Sequence, residues 1–80
     1  FFQAYSLFRG VTFQIIKCRI EKAEHNFEVG KFIKATKDEL VVAAKGGFVY
    51  PDVFQVGSWG IFNTSEFYQI FSPREDEFLI

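Results

Sequence analysis

The sequence predicts a small, mainly β domain: an antiparallel barrel or sandwich followed by one short helix. Three observations carry that prediction. Between Val29 and Val49, β-rich segments alternate with two-residue turn signals, the pattern of a tight antiparallel meander. Twelve Phe, three Tyr and one Trp among 80 residues give so short a chain the dense, large-side-chain core it needs, and Phe and Tyr favour strands. Near the end of the chain, Asn63-Thr64-Ser65-Glu66 has the spacing of a reciprocal capping box, and Pro73 stops what it starts.

The elements follow in order. Phe1 to Phe8 is apolar and aromatic and ends at an Arg9-Gly10 turn. Val11 to Lys22 is the longest strand candidate. Its apolar residues fall at Val11, Phe13 and Ile15, then change phase to Ile16, Cys18 and Ile20, which calls for a bulge or bend near Ile15-Ile16. After the change, Lys17, Arg19 and Glu21 share the other, solvated face. Ala23 to Val29 is a polar loop ending at Gly30. The meander then runs through Phe32-Ile33, a Lys37-Asp38 turn, the apolar run Leu40 to Ala44, a Gly46-Gly47 turn and Phe48-Val49-Tyr50. Pro51 cannot donate to a ladder, so this part of the chain is expected at an edge or a bulge. Val53 to Val56 resumes the strand before a Gly57-Ser58-Trp59-Gly60 turn. The helix begins near Asn63 and presents Phe67, Ile70 and Phe71 on one face. Arg74 to Glu77 is a charged turn, and Phe78 to Ile80 returns as a short last strand. The expected core is Phe13, Ile16, Cys18, Ile20, Ile33, Leu40, Val42 and Phe67.

Composition excludes several classes. One cysteine rules out an internal disulfide framework and suits a reducing compartment, so the expected location is the cytoplasm. No apolar run approaches the length of a membrane span. Nine Lys and Arg against ten Asp and Glu leave a formal net charge of −1, whereas a dedicated nucleic-acid module is basic. The chain starts at Phe1 and holds no Met, as expected of one domain, residues 1–80, cut from a larger protein.

Candidate chemistry is sparse. His25, the sole histidine, lies in a polar loop and is expected to be solvated; as a general base it would need a partner and a pocket. His25 and Cys18 are too few ligands for zinc, and Cys18 is expected as a buried, inert thiol. No catalytic, cofactor-binding or metal-binding residue is therefore assigned. Lys17, Arg19, Lys22, Lys31 and Lys34 could line a basic stripe beside Phe13 and Phe32, the mixture used by single-strand binders, but with this charge balance the outer face of a half-exposed sheet is the better explanation. Asp38, Glu39, Glu75, Asp76 and Glu77 show no pairing pattern. Trp59, between turn residues, either anchors a partner or closes its hairpin over the core.

The order of these motifs resembles the C-terminal domain of the formyltransferases, the family of methionyl-tRNA formyltransferase and the sugar-nucleotide N-formyltransferases. Phe1-Phe2-Gln3-Ala4-Tyr5-Ser6 is similar to the family's Pro-Gly-Ala-Tyr/Phe-Thr stretch, with Gln3 where glycine is usual. Phe8-Arg9-Gly10 with Phe13 to Cys18 resembles its first long strand, and Val29-Gly30-Lys31-Phe32-Ile33 its entry into the meander. Lys37 to Gly47 is similar to its Lys-Asp-Gly-Leu-Val-Val-Ala hairpin, Val53-Phe54-Gln55 to a strand ending Leu-Gln, and Asn63 to Phe67 to the start of its last helix. The resemblance implies an OB-like antiparallel barrel of five to six strands with one short C-terminal helix.

It also implies that formyl transfer from formyl-tetrahydrofolate to an amine happens in an N-terminal catalytic domain bearing an Asn-x-His motif. Here Ala23, not Asn, lies two residues before His25, so no catalytic residue carries over. The implied role is a non-catalytic accessory domain that helps position substrate or assemble the enzyme. Its expected partners are that catalytic domain, a second copy in a homodimer, and a tRNA or sugar-nucleotide substrate, with no membrane. Lys17, Arg19, Lys31, Lys34 and Trp59 are the candidate contacts to nucleic acid or a partner. The competing reading is a stand-alone OB- or SH3-like module for nucleic acid or a peptide.

Overall fold

The computed structural model describes residues 5–79; the stretch from Phe1 to Ala4 and Ile80 lie outside the described residues. Six strands and one helix follow in chain order: β1 Tyr5–Phe8, β2 Val11–Lys22, β3 Phe32–Ala35, β4 Leu40–Ala44, β5 Gly47–Val56, β6 Gly60–Asn63 and α1 Thr64–Phe71. All pairings are antiparallel, in the order β1-β2-β5-β4-β3, with β6 also on β5. The sheet curls into an OB-like barrel. Residues 76–79 fill the remaining gap, bridging Phe8 to Leu79 on one side and Lys31 to Phe78 on the other.

β5 is the organising strand rather than an edge. One side pairs with β2 throughout; the other pairs first with β4 at residues 47–49 and then with β6 at residues 53–56. Pro51 falls at the handover between those two partners, where its missing N–H interrupts no ladder. Its carbonyl accepts a hydrogen bond from the Thr64 hydroxyl at 3.0 Å. The bulge alternative was the right one: register shifts surround Lys17, with one residue extra on β2 at Ile16 and one on β5 at Asp52.

Four expected core residues are not in the core. The offset does occur at Ile15-Ile16, and past it Cys18 and Ile20 stand opposite Pro51 and Val49 of β5, while Arg19 and Glu21 stand opposite Tyr50 and Phe48, yet the expected burial does not follow. Ile16 is 52% and Ile20 59% exposed, and Cys18 is only partly buried. The aromatic cluster takes β2 residues only as far as Ile15, so the side chains past the bulge are left at its margin. Ile33 is the extra residue of a second bulge, between Phe32↔Val42 and Lys34↔Val41, and turns to the outer face.

Phe13, Leu40, Val42 and Phe67 are buried as expected, together with Phe8, Phe32, Phe54, Val56 and Leu79. Phe8 stacks on Phe32 at 5.7 Å and Phe13 on Phe54 at 4.7 Å. Phe67 meets Phe8, Phe13 and Phe54 edge-on at 5.1, 5.7 and 4.9 Å, so α1 plugs the barrel with one ring. Ile70, expected on the same face, is exposed; Phe71 is half-buried.

The turns show why these strands end where they do. Asn63 accepts from the Glu66 amide at 2.8 Å and the Glu66 carboxylate accepts from the Asn63 amide at 3.0 Å, completing the capping box. Ser72 in the left-handed region ends the helix one residue before Pro73. The Lys37-Asp38 turn needs no glycine because the Thr36 hydroxyl accepts from the amides of Asp38 and Glu39. The next turn is Lys45-Gly46, one residue earlier than expected: Ala44 pairs with Gly47, which already belongs to β5. Gly46 takes the positive φ, while a Cβ at Gly47 would strike the Glu21 carbonyl.

Candidate interaction surface

The outer face of β2, β5, β4 and β3 carries an open depression of about 270 Å³, with Ile33, Val41 and Phe48 as its apolar floor and Glu21, Lys34, Glu39 and Tyr50 around them. The curl of the sheet and the bulge at Ile33 bring these residues together. Arg19 lies over the Tyr50 ring at 5.1 Å and pairs with Asp52 at 3.2 Å. Lys34 pairs with Glu39 at 3.0 Å, and the Tyr50 hydroxyl donates to Glu21 at 2.7 Å. The hydrogen bond to Glu21 raises the Tyr50 hydroxyl above the usual phenol range, and the bond to Asp52 raises the Arg19 guanidinium further. Each polar side chain around Tyr50 thus already has a protein partner.

The structure brings two of the four candidate basic residues to this face. Arg19 and Lys34 border it from opposite sides. Lys17, two residues before Arg19 on β2, is exposed, with no hydrogen bond or ion pair among the described residues. Lys31 stands apart, at the mouth of β3, pairing with Asp76 at 3.2 Å. Phe13 and Phe32, the rings expected beside the stripe, are wholly buried and can stack on no base. Three of the acids expected to be scattered, Glu39, Asp76 and Glu77, are paired.

A different surface lies at the other end of the barrel. Trp59, in the β5–β6 turn, is 67% exposed with its ring edge-on to Phe71 at 5.8 Å; Phe71 in turn meets Phe62 at 5.9 Å. Ile61 on β6 and Ile70 on α1 are also more than half exposed. Turn, strand and helix therefore each present a large apolar side chain to solvent. Only Trp59 drew notice in the sequence; Ile61 falls there between the Gly57–Gly60 turn and the helix with no role assigned, and Ile70 shares a helix face with Phe67 and Phe71.

His25 is not a solvated loop residue. Its Nε2 lies 2.8 Å from the Ala44 carbonyl and 2.9 Å from that of Gly47, and its Nδ1 accepts from the Phe27 amide at 3.1 Å. Two acceptors at one nitrogen and a donor at the other assign the neutral Nε2–H tautomer. The ring packs on Phe48 at 4.7 Å, so it ties the loop to the β4–β5 hairpin. Cys18 is no better a nucleophile, since partial burial and the nearby Asp52 carboxylate push its thiol up. Among the described residues there is no group of three or more potential metal ligands, and no helix long and apolar enough to cross a membrane.

A further cluster escaped the sequence reading. Arg9 donates from Nε and Nη2 to the two Glu77 carboxylate oxygens at 2.8 and 2.7 Å, and from Nη1 to the Phe71 carbonyl at 2.9 Å. Its guanidinium also covers the Phe8 ring at 4.7 Å. The Arg9 hydrogen bonds hold the Glu77 carboxyl below its ordinary range. Nothing in an Arg-Gly turn and a Glu 68 residues later marks this pair in the sequence.

A family profile described as formyl transferase, C-terminal domain, matches residues 1–72. No curated protein matches the chain.

Proposed function

The chain belongs to the family of formyl transferase C-terminal domains, and on that premise we propose that it is the non-catalytic accessory domain of a formyl-transferring enzyme. The donor in the parent enzyme is formyl-tetrahydrofolate, bound with all the reacting groups in an N-terminal catalytic domain. The acceptor is an amine, and a sugar nucleotide suits this chain better than a tRNA. The present domain docks on the catalytic domain, or on a second copy, through the β6–α1 end, and so holds the substrate side of the enzyme together.

One observation carries this reading. Arg19, Lys31 and Lys34 are each matched by an acid, while Trp59, Ile61 and Ile70 are each more than half exposed. Cations already paired release few counterions on binding a polyanion, so they add little affinity. Exposed aromatic and aliphatic anchors are what protein interfaces use.

Filter binding of tRNA to the chain at physiological salt tests it, alongside a formyl-transfer assay with formyl-tetrahydrofolate as donor. The expected result is neither submicromolar binding nor transfer. Submicromolar, salt-sensitive tRNA affinity would restore a tRNA-holding role built on Lys17 and Arg19, and turnover by the chain alone would end the accessory reading.

A further inference from the structure

The barrel closes through residues 76–79, and the way it closes has the character of a binding site. The described ladder ends at β1 on one side and β3 on the other. Between them the closing segment makes single bridges rather than a ladder. Among the described residues three main-chain hydrogen bonds tie it to β3 and its entry: Phe32 N to the Glu77 carbonyl at 2.8 Å, Asp76 N to the Phe32 carbonyl at 3.2 Å, and Leu79 N to the Gly30 carbonyl at 2.8 Å. By comparison, β2 and β5 pair at nine positions.

The gap carries its own recognition chemistry. Gly30 has a φ of +93°, and a Cβ there would strike the Leu79 carbonyl, so the wall is shaped for close approach of another backbone. Leu79 sits in the aromatic core with Phe8 and Phe32. The Arg9 fork takes the Glu77 carboxylate in the two-point geometry that selects carboxylates. Phe78, between the two, is turned partly to solvent and contributes no comparable anchor. The pattern selected is a carboxylate two residues before a leucine, on an extended backbone.

We propose that the gap between β1 and β3 is a strand-addition site held shut in cis by residues 76–79, and that an extended peptide with a glutamate two residues before a leucine takes it in trans when the Arg9–Glu77 fork is released. Strand addition at an exposed sheet edge is a recurrent mode of peptide recognition, with main-chain bonds supplying affinity and side-chain seats supplying specificity. Here the resident segment displays both and competes with any incoming peptide. Single bridges in place of a ladder are the kind of pairing that opens locally.

The test uses the full chain and a fluorescently labelled peptide Glu-Asp-Glu-Phe-Leu, the sequence of residues 75–79. Glu77→Gln in the chain weakens the resident segment without touching the peptide. Peptide affinity should then rise roughly tenfold over the wild-type chain, and fall by a similar factor when the peptide's second glutamate is replaced by glutamine. Amide exchange at Leu79 of the wild-type chain should quicken as peptide is added, while the Phe32 amide, which passes from the Glu77 carbonyl to the matching carbonyl of the peptide, stays protected; this readout needs no variant. The proposal is overturned if neither chain binds peptide at millimolar concentration. It is overturned equally if the peptide binds both alike and leaves the Leu79 amide unchanged.

Discussion

Arg9 holds a backbone angle of φ +52° that a non-glycine residue adopts at a cost, and it does so where its side chain can reach Glu77 and the end of α1. Glu77 is a depressed carboxyl, so its contribution to stability is complete above its unfolded pKa, near 4.5, and is lost as pH falls through the lower folded value. Arg9 is partly solvated, which limits the contribution to about 1 kcal/mol. Glu77→Gln should therefore lower the melting temperature at pH 7 and remove part of the wild-type loss of stability below about pH 4.5, as calorimetry at pH 7 and pH 3 would reveal. Gly30→Ala should cost about 1–3 kcal/mol, because both its φ and its contact with the Leu79 carbonyl forbid a Cβ; denaturant titration checks it. Single residues were the least legible scale. The role of His25 depends on two carbonyls about twenty residues away, and that of Arg9 on a carboxylate at the far end of the chain.

Elements were more legible, because their signals are local. The capping box at Asn63 and Glu66 needs only four residues, and it forms as read. Asn63→Ala should cost about 1 kcal/mol and fray the first turn of α1, seen as faster amide exchange there. The phase change in β2 marked its bulge for the same reason: side-chain alternation is a local property. Which half of the strand stays covered is not local. It depends on how far the aromatic cluster reaches along the strand and on how tightly the sheet curls, so Ile16 and Ile20 read as core and are not. Ile20→Ser should accordingly change stability by no more than about 0.5 kcal/mol in the same titration, an outcome opposite to that of a core residue. Pro51 carries the same lesson. Proline excludes a ladder donor, but only the topology shows that a central strand can have a partnerless position where β4 gives way to β6.

At the scale of the whole molecule, five buried phenylalanines, one of them from the helix, form the centre of the core. Phe67→Ala, which removes the ring shared by the other four-way contacts, should cost about 3–5 kcal/mol, and Leu40→Ala about 2–5. Either is a large fraction of the stability of a domain this small. The family was readable because order and spacing of motifs survive where single residues do not, and the match over residues 1–72 agrees. The proposed docking surface was not. A stripe of Lys and Arg beside aromatic residues drew attention in the sequence, whereas the fold pairs Arg19, Lys31 and Lys34 with acids and leaves Trp59, Ile61 and Ile70 more than half exposed. Hydrogen exchange of the chain, free and mixed with the catalytic domain of its parent enzyme, tests that assignment most directly. Protection is expected across β6, the β5–β6 turn and α1, with Trp59→Ala weakening the association roughly thirtyfold. Protection instead around Arg19 and Tyr50, or an association indifferent to Trp59→Ala, would contradict it.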